Sequence, residues 1–203
     1  MKKLFLIMSI AVFAMVSCSD DNDENKDLIV TEVSIDATSE STWNYYSLNE
    51  NKIIGTGEKN DTNDALWAAR TDWDFAICRY FIRTNSGTST TVNAKGGVYI
   101  LNSSISFDAL TIIPSGNISV DETISSEIMG GVMVSNNQSK AQVILFKKDA
   151  DGNRYMPPMY LKAPVYIFRT ADGKEYYKVE FTQYKDEDGV TGKIKFNTSL
   201  LNK

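Results

Sequence analysis

The stretch VYIFRTADGKEYYKVEF, residues 165–181, decides the fold class because it has the pattern of a β-hairpin. Two arms rich in aromatic and β-branched residues flank Asp172 and Gly173, and an Asp-Gly pair between such arms is a strong hairpin signal. Outward from this hairpin, the Asp-Gly pairs at 151–152 and 188–189 predict two further turns. Many short strands joined by regular turns indicate an all-β domain.

Alternating or apolar stretches on both sides of the hairpin predict the other strands. They are residues 28–36, 42–48, 73–83, 97–101, 141–146 and 193–197. The stretch 73–83 is apolar at both odd and even positions, so we expect one central strand that is covered on both faces. Residues 63–70 favour one short helix. We therefore expect one antiparallel, β-sandwich-like domain over residues 28–203.

The composition excludes several classes of function. The 203 residues are 42% hydrophobic and carry a net charge of −5, which suits a globular domain and gives no basic surface for nucleic acid. The chain has no histidine, which excludes a Ser-His-Asp triad, a Cys-His pair and zinc sites that use histidine. Nothing in the sequence supports an enzyme.

The N-terminal residues predict a lipoprotein. In residues 1–17, two lysines precede an apolar run that is too short to span a membrane, as in a signal peptide. The run ends in MVSC, which predicts cleavage before Cys18 and lipidation of that cysteine. Residues 18–27 form an acidic linker of the kind that directs lipoproteins of some Gram-negative anaerobes to the surface. We expect a lipid-anchored outer-membrane protein that faces outward or is shed. The alternative is an ordinary secretory signal with a chance cysteine.

Two polar or reactive candidates have simple structural interpretations. Cys78 lies among apolar residues and has no partner once Cys18 carries lipid, so we expect a buried small side chain. The stretch DADGN, residues 149–153, is loosely similar to a calcium loop, but Tyr160 stands where such a loop requires glutamate. A turn is therefore the prediction for this stretch.

Paired carboxylates leave a hydrolase as one alternative. Asp72 and Asp74 flank Trp73, and strand alternation predicts that both carboxylates lie on one face, towards solvent.

Four methionines follow the signal peptide, and they form two pairs. Met129 and Met133 bracket Gly-Gly-Val, whereas Met156 and Met159 bracket Pro-Pro. Methionine usually fills gaps in a core, but the glycines and prolines indicate loops or strand edges. Thioether sulfur binds Cu(I) and haem iron, so methionines on two opposed loops would close on both faces of a porphyrin. The aromatic residues expected to form the apolar walls are Phe146, Tyr155, Tyr160 and Tyr166.

Several motifs resemble one family. The matching stretches are TWNYYSL (42–48), DWDFAICRYFIRTNSG (72–87), GGVY (96–99), VYIFRTADGKEYYKVEFTQY (165–184) and GVTGKIKFN (189–197). On these residues the chain resembles the HmuY family of haem-binding surface lipoproteins, and the resemblance spans essentially the whole mature domain. It implies an all-β, hand-shaped fold whose loops grip haem.

The resemblance also implies iron ligands. The best-known member uses two axial histidines, which this chain lacks, whereas relatives similar to it use two methionines. One ligand position falls in the segment 127–136 and the other in 154–160, which contain the two methionine pairs. We predict Met129 and Met156 as the axial ligands, with Met133 and Met159 as the alternatives.

The function that the resemblance implies is haem acquisition. The protein would take haem b (iron protoporphyrin IX) from host haemoproteins and deliver it to a TonB-dependent outer-membrane receptor. Thioether sulfur is soft and does not compete with protons for iron, so we expect a preference for reduced haem.

Two binding functions remain as alternatives to haem. One is a surface glycan- or protein-binding lipoprotein in which exposed Trp43, Tyr45 and Tyr46 stack on sugars. The other is a Cu(I) binder that uses the same methionines.

Overall fold

The computed structural model describes residues 29–102, 104–128 and 132–201. The predicted signal peptide, Cys18, the acidic linker and Met129 lie outside these residues. The described elements, in chain order, are β1 (Thr31–Asp36), β2 (Thr42–Ser47), β3 (Lys52–Glu58), α1 (Asp61–Ala68), β4 (Phe75–Cys78), β5 (Phe81–Thr84), β6 (Gly97–Ile100), β7 (Glu122–Ile128), β8 (Val132–Gln138), β9 (Ile144–Phe146), β10 (Tyr160–Lys162), β11 (Tyr166–Arg169), β12 (Tyr176–Lys185) and β13 (Thr191–Leu200). A short 3-10 helix spans Gly87–Ser89.

The strands form two larger sheets and two hairpins, all antiparallel. The five-stranded sheet has the order β1-β13-β12-β11-β6, and the four-stranded sheet has the order β3-β2-β4-β5. The pairs β7-β8 and β9-β10 are separate two-stranded sheets. The predicted hairpin at 165–181 is confirmed as β11 and β12, with Tyr166 opposite Val179 and Gly173 at φ 77° in the turn. The all-β prediction is therefore confirmed.

The two larger sheets pack face to face as a sandwich. Phe75 of the four-stranded sheet stacks on Phe168 of the five-stranded sheet, with ring centroids 4.8 Å apart. Phe196 meets both Phe75 and Tyr46 edge-on. Burial of such aromatic side chains is the main source of stability in a core of this kind.

Each sheet is also covered on its outer face. Helix α1 begins at the N-cap Asn60, and its Trp67 stacks on Tyr45 of β2 with ring centroids 3.8 Å apart. On the five-stranded sheet, the ammonium of buried Lys178 donates hydrogen bonds to the carbonyls of Phe107 and Leu110, at 2.8 and 3.1 Å. These bonds hold the loop before β7 against the sheet.

The prediction of one central strand over 73–83 is wrong. This stretch forms a hairpin in which Phe75 lies opposite Thr84 and Cys78 lies opposite Phe81. Arg79 reverses the chain in a left-handed conformation, at φ 55°. Both arms are apolar at odd and even positions because the sandwich core covers one face and α1 with its neighbours covers the other. The predicted helix is present as Asp61–Ala68, two residues earlier than expected.

In the described part of the chain, we find no helix with the length and apolar character needed to span a membrane.

Candidate functional site

Two hairpins leave the sandwich from opposite ends of one segment, residues 138–143, which is buried except at Lys140 and Gln142. This segment lies along the edge strand β5: the amide of Ser139 donates to the carbonyl of Ile82 at 2.9 Å, and the amide of Val143 donates to the carbonyl of Tyr80 at 3.0 Å. The β7-β8 hairpin, here the first hairpin, precedes the segment, and the β9-β10 hairpin, here the second hairpin, follows it. Both methionine pairs belong to these hairpins and their connecting loops.

The base of the first hairpin is fixed by a buried carboxylate, Asp121. It accepts hydrogen bonds from the Thr84 amide at 2.9 Å, the Thr84 hydroxyl at 2.6 Å and the Ser89 hydroxyl at 2.6 Å. The Asp121 amide in turn donates to the Ser86 hydroxyl, which contacts the Thr84 hydroxyl at 2.7 Å. Burial raises the pKa of Asp121 to about 6, although the hydrogen bonds act in the opposite direction. The sequence predicts no role for this residue.

The methionines of the first hairpin are placed only in part. Met133 lies in β8, and its backbone is opposite Glu127 of β7. Met129 belongs to the connection between the two strands, outside the described residues. The prediction that Met129 is an iron ligand therefore remains a prediction.

The second hairpin contains a bulge that displays Met156. The Lys147 amide donates to the carbonyl of Met159 at 2.9 Å, while the Lys147 carbonyl accepts from the amide of Tyr155 at 3.4 Å. One residue is thus paired with positions on both sides of 156–158, so these three residues bulge out of the ladder. Met156 is 69% exposed, so its thioether is accessible to a ligand and does not fill a gap in the core.

The tip of this hairpin is a turn, as predicted. The Asp149 carboxylate accepts hydrogen bonds from the amides of Asp151 and Asn153, at 3.0 and 2.8 Å, and Lys148 lies opposite Arg154. Within the described ranges, no cluster of His, Cys, Asp or Glu side chains is suited to hold a metal ion.

One face of the second hairpin packs on the sandwich. Phe146 contacts Tyr80 edge-on at 4.9 Å and lies beside Tyr160, whose ring meets Tyr184 at 5.4 Å. Tyr160 and Tyr184 also line a groove of about 360 Å³ between β10 and β12. Tyr160, predicted to form a wall of the haem site, therefore lies on the packed face, although it remains 42% exposed.

The other face of the second hairpin is apolar and open to solvent. Strand alternation from the Phe146–Tyr160 pair places Leu145, Lys147, Tyr155, Met159 and Leu161 on this side, which we call the open face. Met159 and Leu161 are each 47% exposed. An uncovered apolar face on a two-stranded sheet is a candidate surface for a flat apolar ligand. Tyr155 and Met159 are predicted from the sequence, whereas Leu145, Lys147 and Leu161 are not. The spacing of two residues between Leu145 and Lys147, and between Met159 and Leu161, is the signal that could have identified them.

Tyr166, which we expected to line the haem site, is a core residue. Its side chain is 1% exposed, and its hydroxyl donates to the carbonyl of Gln142 at 2.9 Å. It contributes to the site only by holding the segment from which the hairpins project.

The sugar-stacking alternative loses its proposed surface. The side chains of Trp43, Tyr45 and Tyr46 are all 0% exposed, because α1 covers one face of β2 and the five-stranded sheet covers the other. The guanidinium of buried Arg83 lies 4.1 Å from the Trp43 ring centroid. These residues are core residues and cannot stack on a ligand.

The paired carboxylates do not share a solvent-facing side, contrary to the prediction. Asp74 is buried and accepts hydrogen bonds from the amides of Leu48 and Ala171, both at 2.7 Å. Burial raises the pKa of Asp74 to about 6. Asp72 is exposed and pairs with Arg70 at 2.6 Å, which lowers the pKa of Asp72. Asp74 thus links two loops and is explained by the fold.

Cys78 is buried, as predicted. The side chain is 0% exposed, and burial raises the pKa of its thiol. Both properties oppose a reactive role.

The fold and the site define a class of protein: a two-sheet β-sandwich with two projecting hairpins, each associated with a methionine pair. The chain belongs to the HmuY family, since the family model described as HmuY protein matches residues 39–197. No curated protein matches the chain by sequence.

Solved structures share this fold at low sequence identity. A protein from Bacteroides fragilis described as a lipoprotein has a TM-score of 0.61 and 22% identity, with 86% of this chain and 92% of that chain covered. A protein from Bacteroides vulgatus described as HmuY-like and heme binding has a TM-score of 0.61 and 22% identity, with 83% and 90% covered. The apo HmuY analog of Tannerella forsythia has a TM-score of 0.53 and 21% identity, with 89% and 100% covered.

Proposed function

We propose that this protein binds haem at its two projecting hairpins, with one methionine thioether from each hairpin as an axial ligand. The observation that carries the proposal is the display of Met156 and Met159, which are 69% and 47% exposed, in a chain without histidine. Membership of the HmuY family and the resemblance to a structure described as HmuY-like and heme binding support the same ligand.

The second hairpin offers groups that suit a porphyrin. Haem presents a broad apolar ring and an iron that accepts soft thioether sulfur. Tyr155 and Leu161 on the open face would supply apolar contact beside Met159, and Met156 stands in the adjacent bulge. Met129 with Met156 is the pair we propose, with Met133 and Met159 as the alternatives.

Thioether ligation has a redox consequence. A neutral, soft sulfur stabilises ferrous iron more than ferric iron, and it has no proton to lose before binding. We therefore propose that the protein takes up reduced haem in preference to oxidised haem.

The cellular role that we propose is haem acquisition. Lipidation at Cys18 would anchor the protein to the outer membrane with its domain at the cell surface. There it would collect haem b from host haemoproteins and pass it to a TonB-dependent receptor. The description of the Bacteroides fragilis structural relative as a lipoprotein supports the anchoring part of this proposal.

The test is a haem titration followed by visible absorption before and after reduction with dithionite. The variants are Met129→Leu, Met133→Leu, Met156→Leu and Met159→Leu, because leucine keeps the apolar volume and removes only the sulfur. We expect sharp low-spin ferrous bands in the wild type. They should be lost in one variant of each pair, while the other member of the pair serves as the matched control.

Two results would count against the proposal. No spectral change in either redox state would remove haem as the ligand. Binding of ferric haem that weakens on reduction would contradict the proposed redox preference and leave haem binding intact.

A further inference from the structure

The tip of the second hairpin carries three cations that have no acidic partner among the described residues: Lys147 on the open face, and Lys148 and Arg154 on the packed side. Lys147, Lys148 and Arg154 are all exposed, and none of them forms a salt bridge with a carboxylate among the described residues. At the other end of the same hairpin, Lys162 pairs with Glu180 at 2.6 Å. The cations at the tip are therefore available to bind an anion, whereas Lys162 already has a carboxylate partner.

The positive charge is local. The segment 144–162 contains four cationic and two acidic residues, within a chain of net charge −5. One of the two acids, Asp149, is held in the turn by the amides of Asp151 and Asn153. The hairpin therefore carries a net positive charge on an acidic protein, which favours the approach of anions to this part of the surface.

Aromatic rings hold two of the cations in place. The Lys147 ammonium lies 5.5 Å from the ring centroid of Tyr155, which puts it over the open face. The Arg154 guanidinium lies 4.0 Å from the centroid of Phe146, so it reaches the tip from the packed side of the hairpin. A stacked guanidinium keeps its N–H donors in its own plane, where they can meet a carboxylate edge-on. Lys148 lies opposite Arg154 in the ladder and adds a third charge at the same end.

We propose that Lys147, Lys148 and Arg154 bind the propionate carboxylates of haem and so fix the orientation of the ring on the second hairpin. This inference rests on the proposed haem-binding function and names the part of the ligand that these residues recognise. Apolar side chains on the open face, with cations on both sides of the adjoining tip, match a ligand with an apolar body and two carboxylates at one edge. Methionine ligation alone would leave the ring free to turn about the axis through the iron.

The effect of the cations is modest and depends on salt. An exposed ion pair changes an equilibrium roughly two- to fivefold, so two propionates together give about a tenfold preference for the free acid. Exposed pairs are screened, so the preference shrinks at high ionic strength.

The experiment compares ferrous haem with its dimethyl ester, in which both carboxylates are blocked, on the full chain. The test variants are Lys147→Gln/Lys148→Gln and the same pair combined with Arg154→Gln. The double variant keeps the packing of Arg154 on Phe146, so it remains informative if the triple variant folds poorly. Lys162→Gln is the matched control, since it removes a cation of the same hairpin that already has a partner.

We expect the wild type and Lys162→Gln to bind haem about tenfold more tightly than the ester, and the test variants to lose most of this preference. If the double and triple variants keep the wild-type preference for haem over the ester, or if the wild type has no such preference, the cations do not bind the propionates. Haem binding itself would still stand. Absence of a spectral change with both ligands overturns the proposed function and this inference together.

Discussion

Replacing Asp121 by asparagine tests how the base of the first hairpin is stabilised. Desolvation of this carboxylate raises its pKa from 3.8 to about 6, against the effect of its hydrogen bonds with Ser89 and Thr84 and of the Arg83 charge. A carboxamide resembles the protonated acid. It accepts from the Thr84 amide and the Ser89 hydroxyl, and it donates to the Thr84 hydroxyl if that group turns towards Ser86.

The magnitude follows from linkage between protonation and folding. Because the folded-state pKa lies above the unfolded value, the stability due to this group is fully present below pH 3.8 and is lost as the pH rises through 6. The difference between the two pKa values corresponds to roughly 3 kcal/mol of unfolding free energy, with a slope of about 1.4 kcal/mol per pH unit between them. Asp121→Asn removes this slope. The variant should therefore be about as stable as the wild type near pH 4 and become more stable than the wild type towards pH 7.

The assay is urea unfolding at several pH values between 4 and 7, followed by the fluorescence of the buried tryptophans. Asp74→Asn is the contrasting variant, because both oxygens of the Asp74 carboxylate accept from backbone amides and the NH2 group of asparagine would face one of these donors. We therefore expect Asp74→Asn to lose stability, although burial raises the pKa of Asp74 to about 6 as well. A constant loss of stability in Asp121→Asn at every pH would refute the reasoning. In that case the ionised carboxylate and its hydrogen bonds, and not desolvation, would dominate at this position.

Two further substitutions test the packing on the outer faces of the two larger sheets. Gly57→Ala places a methyl group 2.7 Å from Nε1 of Trp67, a ring that is already stacked on Tyr45, so we expect the free energy of unfolding in urea to fall by about 1–3 kcal/mol. Thr56→Ala, at an exposed position of the same strand, is the control, and an equal loss in both variants would contradict the packing argument. Lys178→Met keeps the side-chain volume but removes the donor to the Phe107 and Leu110 carbonyls. We therefore expect the free energy of unfolding to fall by about 2–3 kcal/mol and proteolysis between residues 104 and 118 to become faster. Lys174→Met, at an exposed position, is the control, and an equal cleavage rate in the two variants would contradict the role of Lys178.

The sequence predicts some elements of the fold better than others, for physical reasons. The hairpin at Asp172 and Gly173 is predictable because its turn type requires a left-handed residue, and glycine supplies it. The hairpin within 73–83 has no such signal, because Arg79 takes the left-handed position and both arms are buried on both faces. A pattern with apolar residues at every position carries no information about where the strand ends.

The same double cover explains the error over the aromatic run of β2. A tryptophan and two tyrosines in a strand are compatible with an exposed platform as well as with a core. What decides between them is α1, whose Trp67 covers Tyr45 from a position more than twenty residues away in the sequence. Such a contact depends on how the chain folds back, and the local sequence does not contain it.

The candidate site also has one part that the sequence predicts and one part that depends on the structure. Residue chemistry identifies the methionine pairs, because thioether sulfur in glycine- and proline-containing segments is recognisable from the sequence. The bulge at 156–158 and the open face depend on register, since Lys147 pairs with both Tyr155 and Met159. A shift of one residue would exchange the packed face with the open face, so these features require the structure.

The base of the site is independent of the residues at its tips. The hairpins are positioned by backbone bonds from Ser139 and Val143 to β5 and its turn, and by the buried carboxylate of Asp121. None of these contacts involves a methionine side chain, so substitutions at the tips change the group that is presented without disturbing the anchor. A division of this kind is compatible with relatives that share 21–22% identity and yet keep the fold over more than four-fifths of this chain. It also means that single variants of Met156 and Met159 report on ligand binding and not on folding, because both side chains are exposed.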